Sequence, residues 1–127
     1  MKESKITLIS RILLGLILFV FGLNKFLQFI PAPPLEGPAA DYMGGLAKSV
    51  YFFPLLALTE MALGLAFLTG RWVALALVIL APVALNMVLF HLFLAPSGIG
   101  PAAFVFVLGL VITKEHFAKY KPILQAK

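Results

Sequence analysis

Between Trp72 and Thr113 the chain has 42 consecutive residues without a single Asp, Glu, Lys or Arg. A soluble helix or strand keeps a charged face towards water, so a run of this length predicts burial on every side. About 20 apolar residues cross a bilayer as a helix, and this run is long enough for two crossings. The segment Pro96-Ser97-Gly98-Ile99-Gly100-Pro101 is the place to turn, and it predicts helices over about 72–94 and 101–120. Across the whole chain, 62% of residues are hydrophobic and 12% charged, an excess that one small core cannot hide. Lipid is the simplest remaining environment.

Two further apolar runs precede this one. The first predicts a helix over about 6–30, closed by Pro31, Pro33 and Pro34, which lack the N–H that a helix needs. Lys2 and Lys5 before an apolar stretch also fit a secretory signal. The run is too long for one, however, no small-residue cleavage site follows, and three more spans do. The second run predicts a helix over about 51–70, with Pro54 in its first turn and Gly70-Arg71 at its end. Residues 31–50 form the connecting outer loop. A short interfacial helix over Ala39–Lys48 fits within it, although Gly44 and Gly45 weaken that assignment. The expected fold is an all-α integral membrane protein: one domain, residues 1–127, built as a bundle of four transmembrane helices.

Lysine and arginine set the expected orientation. With the N-terminus in the cytoplasm, the inner side receives Lys2, Lys5, Arg11, Arg71, Lys114, Lys119, Lys121 and Lys127, and the outer half only Lys25 and Lys48. Eight against two favours both ends inside by the positive-inside rule. These cations flank apolar runs and form no solvated basic face, so nucleic acid is not an expected partner.

Polar groups at bilayer depth are costly and mark protein contacts or functional sites. The candidates are Asn24, Lys25, Gln28, Glu60, Asn86 and His91. At the helical rise, Lys25 lies about 21 Å from the cytoplasmic markers, Glu60 about 17 Å, Asn86 about 21 Å and His91 about 29 Å. Lys25 continues a small-residue stripe with Gly15 and Gly22, and Glu60 sits in another with Ala57 and Gly64. Such stripes mark close helix–helix approach, so both charges are expected to face the bundle interior. The expectation is a Lys25–Glu60 ion pair, or a network shared with Asn86, with Gln28 and His91 lining its outer mouth. A purely structural pair that holds the helices in register is the competing reading. Pro82 predicts a kink near Asn86.

Several chemistries are disfavoured. The chain has no Cys, so it carries no thiolate metal site and no thiol chemistry of its own. His91 and His116, the only histidines, fall on opposite sides of the expected membrane, which argues against bis-histidine haem. No zinc spacing, phosphate loop, dinucleotide fingerprint or serine elbow occurs.

The ordered segments Arg11-Ile12-Leu13-Leu14-Gly15, Phe21-Gly22-Leu23-Asn24-Lys25-Phe26, Pro54-Leu55-Leu56-Ala57-Leu58-Thr59-Glu60 with Gly64 and Thr69-Gly70-Arg71, and Ala81-Pro82-Val83 with Asn86, Phe90-His91-Leu92-Phe93 and Pro96 resemble the DoxX family of small four-helix bacterial membrane proteins. The resemblance spans about residues 11–113. It implies association with redox systems, since the family is named for a membrane thiosulfate:quinone oxidoreductase; more distant relatives are membrane assembly factors. The expected function is a redox-linked subunit that binds a quinone-like amphipathic molecule at the polar layer. A bound quinone is the implied cofactor, and a soluble or membrane oxidoreductase, or further copies of the chain, the implied partners. Whether the chain is itself an enzyme is left open. The alternatives are an anchor or assembly factor without a ligand and, third, a small-molecule carrier.

Overall fold

The computed structural model describes residues 3–127, so Lys2 lies outside the described residues. Every regular element in it is helical. Four helices are long and apolar enough to cross a membrane, which is compatible with a multi-pass membrane protein.

Helix α1 (Lys5–Leu27) begins at Ser4, whose hydroxyl accepts the Thr7 N–H at 3.2 Å. It stops three residues short of the expected Ile30. Gln28 adopts a left-handed conformation, and the Asn24 side chain accepts the Ile30 N–H at 2.8 Å, turning the chain out of the helix before the prolines arrive. Residues 31–50 are not all loop. Helix α2 (Gly37–Lys48) occupies most of that segment, with a proline in its first turn. Ala39, Tyr42, Met43 and Leu46 recur at helical spacing and form its inner face, while Gly44 and Gly45 meet nothing and cost no packing.

Helix α3 (Phe52–Thr69) ends at Gly70, which takes a positive φ of 73° and lets the chain reverse into α4 (Val73–Phe93) within three residues. A 3₁₀ turn, Pro96–Gly98, leads to α5 (Ile99–His116). This helix starts earlier than expected, at Ile99, because Pro101 is tolerated in a first turn. Its expected last turn is 3₁₀, Phe117–Tyr120, followed by the short helix α6 (Lys121–Leu124).

The start of α1, the end of α3, the start of α4 and the end of α5 meet at one end of the molecule, called here the terminal end. The Arg11 guanidinium donates to the carbonyls of Phe67 and Leu68, orphan acceptors at the end of α3, and pairs with Glu3 at 3.0 Å. Ser4 donates through both its backbone N–H and its hydroxyl to the Glu115 carboxylate at 2.9 Å, tying α1 to α5. The Tyr120 hydroxyl donates to the Ala74 carbonyl at 2.8 Å, tying the last 3₁₀ turn to α4. Phe67, Leu14, Leu18, Ile112 and Val105 are the largest fully buried side chains, and Phe67 and Ile112 stand nearest this end.

Helices α1 and α3 make the closest approach. A Cβ on Gly15 would stand 2.9 Å from the Gly64 carbonyl, and one on Gly64 would stand 2.8 Å from the Gly15 carbonyl. About two turns on, a Cβ on Gly22 would meet the Ala57 carbonyl at 2.9 Å. Both small-residue stripes therefore lie in one backbone-to-backbone contact. The opposite end is looser. There α3 and α4 diverge, and α2 lies across the opening.

Candidate functional site

Lys25 Nζ donates to Glu60 Oε2 at 2.7 Å. The pair follows from how helical side chains point. In every α-helix the Cα–Cβ bonds tilt towards the N-terminus. Because α1 and α3 are antiparallel, Lys25 leans back towards the middle of the bundle and Glu60 leans forward towards α2. The two converge although the glycine register sets their Cα atoms about 9 Å apart along the axis. Lys25 Nζ also approaches the Phe21 carbonyl, one turn back on its own helix, at 3.5 Å. The Glu60 side chain is 4% exposed and that of Lys25 25%, so the pair is buried on the acid side and reachable on the lysine side.

That reachable side opens on a cavity of about 510 Å³ near the end of α1. Asn24, Lys25 and Gln28 line it on the helix, Ile30 to Ala32 on the extended chain, and Phe53 on α3. Glu60 does not reach it.

Asn86 stands elsewhere. Its side-chain amide donates to the Tyr42 hydroxyl at 3.2 Å, not to Lys25 or Glu60, so the network expected to join all three does not form. The physical reason is the spread between α3 and α4. With α2 placed over that gap, the nearest polar partner for Asn86 is the tyrosine of the roof. His91 is likewise on this side. One ring nitrogen, Nδ1, is 2.8 Å from the Met87 carbonyl one turn back, which makes it the protonated nitrogen and leaves Nε2 as an acceptor. The Phe90 and His91 rings meet edge to face with centroids 5.1 Å apart, and Phe90 stacks obliquely on Tyr42 at 5.5 Å.

These groups surround a cavity of about 360 Å³ between α3 and α4, roofed by α2. Its walls are almost wholly apolar. Tyr42, Asn86 and His91 supply most of the polarity, and Phe52, Phe53 and Phe90 the aromatic surface. Pro82 lies in the wall; lacking an N–H, it leaves the Val78 carbonyl without its helical donor. Phe53 borders both cavities and forms the partition between them.

The six residues expected to share one layer therefore divide. Asn24, Lys25 and Gln28 belong to one cavity and Asn86 and His91 to the other, with Glu60 enclosed behind Lys25. Tyr42 was not among the expected residues. Its signal was the amphipathic spacing Ala39, Tyr42, Met43, Leu46, obscured by the adjacent glycines. Arg11 was read only as an orientation marker, whereas it is 9% exposed and caps α3. No family model, curated protein or solved structure matches this chain, so the geometry carries the functional reading.

Proposed function

We propose that this chain is a DoxX-like membrane subunit that holds a quinone-like amphipathic molecule in the cleft between α3 and α4. The observation that carries the reading is the Tyr42–Asn86 hydrogen bond in the wall of an otherwise apolar, aromatic cavity. A membrane-borne molecule needs an apolar wall for its body and a few directed polar groups for its head. The Tyr42 oxygen accepts from Asn86 and keeps its own proton to donate. The Asn86 carbonyl oxygen stays available as an acceptor. Together they offer a donor for a ring carbonyl and an acceptor for a ring hydroxyl, and so serve both oxidation states of such a head. The chain has no Cys and so no thiol couple of its own; in this reading its residues bind and orient the molecule and a partner oxidoreductase supplies the electrons.

The same reading puts both chain ends in the bacterial cytoplasm, as the bias of lysine and arginine towards the terminal end favours. The Lys25–Glu60 pair then has a structural role, locking α1 against α3, with a ligand role moved to Tyr42 and Asn86.

Native mass spectrometry of protein gently extracted from its own membrane tests the reading, with titration of a short-chain benzoquinone as a second measurement. A discrete adduct is expected in the wild type, lost in Asn86→Leu. Tyr42→Phe removes one hydrogen bond and should weaken benzoquinone binding about fivefold. A bare wild-type protein that also ignores the benzoquinone overturns the ligand reading in favour of an anchor or assembly factor.

A further inference from the structure

A second surface, at the opposite end from the cleft, carries a different chemistry. Lys5, Arg71, Lys114, Lys119 and Lys121 gather at the terminal end, and among the described residues none of them makes an ion pair. The two carboxylates there are already engaged. Glu3 is held by Arg11, and Glu115 accepts two hydrogen bonds from Ser4. With Arg11 balancing Glu3, these five cations stand against the single carboxylate of Glu115, which keeps its charge under the hydrogen bonds from Ser4, so the net charge of this face is positive.

Apolar groups stand among these cations instead of turning inward. Phe117, Ile123 and Leu124 project from the last 3₁₀ turn and α6, with Ile123 74% and Leu124 67% exposed. Trp72 is 70% exposed, with the Arg71 guanidinium 5.2 Å from its ring centroid. The Tyr120–Ala74 hydrogen bond holds the C-terminal segment against the first turn of α4, so Lys119 and Lys121 belong to the same face as Trp72. At the same end, a groove of about 480 Å³ between α1 and α5 is lined by Ser4, Ile6, Thr7, Val111, Lys114 and Glu115, its exposed surface mostly apolar. Apolar and aromatic side chains interleaved with lysines suit the boundary between headgroups and acyl chains. A protein partner of acidic surface satisfies the cations but not the apolar wall that Ile6 and Val111 give the groove at the ends of α1 and α5.

We propose that this face is a docking surface for anionic phospholipid, the headgroup phosphate meeting Lys114, Lys119 and Lys121 and an acyl chain lying along Ile6 and Val111. Six residues of the C-terminal segment, from Lys119 to Leu124, then rest on the membrane surface, with Ile123 and Leu124 in the apolar layer. This proposal is independent of the cleft and its ligand.

Trp72 is the chain's single tryptophan, and it stands in this face. The full chain is reconstituted in phosphatidylcholine bilayers that contain equal mole fractions of either brominated phosphatidylglycerol or brominated phosphatidylcholine, and Trp72 fluorescence is read. Phosphatidylglycerol should quench roughly twofold more strongly, as expected when several lysines each add attraction for the anionic lipid. The difference should shrink at high salt and vanish in the triple variant K114Q/K119Q/K121Q, while K48Q, at the other end of the molecule, retains it. Equal quenching by the two lipids in the wild type overturns the proposal. So does a preference that survives high salt or the triple variant.

Discussion

Helix α3 has two unlike neighbours. Towards α1 it presents Ala57, Glu60 and Gly64, and the backbones come so close that no Cβ fits at Gly15, Gly22 or Gly64. Towards α4 it presents Phe52, Phe53 and Leu56, and the helices part around a cavity. In a membrane there is little hydrophobic drive between helices, so small residues that allow dispersion contact decide where they close. Large aromatic side chains hold the second interface open, and Pro82 sits in its wall. One helix thus serves as a rigid strut on one side and as the wall of a cavity on the other.

The largest expected effect strikes the closed side. Lys25→Met leaves Glu60 as an unpaired charge at 4% exposure, a loss of about 3–5 kcal/mol in reversible unfolding from detergent micelles. The double variant Lys25→Met/Glu60→Gln should recover most of it, because no buried charge remains. If the double variant is as unstable as the single, the pair is not what locks α1 to α3.

Next comes the glycine contact. Gly64→Ala drives a Cβ against the Gly15 carbonyl and the Phe19 backbone at 2.8 Å, and backbone atoms cannot rotate away. A loss of about 1–3 kcal/mol is expected, measured in the same way. Gly109 is the control on α5. Its Cβ would meet only a Leu80 methyl at 3.8 Å, and Gly109→Ala should leave stability unchanged or slightly raised. Equal effects at the two positions would mean that the close α1–α3 backbone contact is not what Gly64→Ala disturbs.

The smallest expected effect belongs to the hinge of the roof. Val50 joins α2 to α3 with φ at 72°, a left-handed conformation that a β-branched residue adopts at a cost. Its neighbour Ser49 bridges the two helices, donating to the Leu46 carbonyl at 2.6 Å and accepting the Phe52 N–H at 3.1 Å. Val50→Gly should relieve about 1 kcal/mol of strain, seen as a small rise in melting temperature. A fall would mean that the left-handed turn is not strained there.

Much of this was legible along the chain because bilayer depth and helical period are local properties. Predominantly apolar runs of about 20 residues bounded by Gly, Pro or Lys identify long apolar helices by length alone. Gly15, Gly22 and Lys25 on one helix, and Ala57, Glu60 and Gly64 on another, define faces through the 3.6-residue period, and like faces find each other. The end of α1 was misplaced because its stop depends on the side chain of Asn24 reaching Ile30, which hydropathy does not register.

The partner of Asn86 was decided only in three dimensions. Depth along the membrane normal, which sequence spacing estimates, puts Asn86 level with Lys25, yet says nothing of lateral position around the bundle. That position depends on which helices close and which diverge. Closure of α1 on α3 encloses Glu60 with Lys25. Divergence of α3 from α4 turns Asn86 towards Tyr42 on α2, a helix that Gly44 and Gly45 made weak in the sequence. The sequence determined which residues lipid rejects. The tertiary structure decided how they pair, because pairing depends on distances between helices that no spacing along one chain contains.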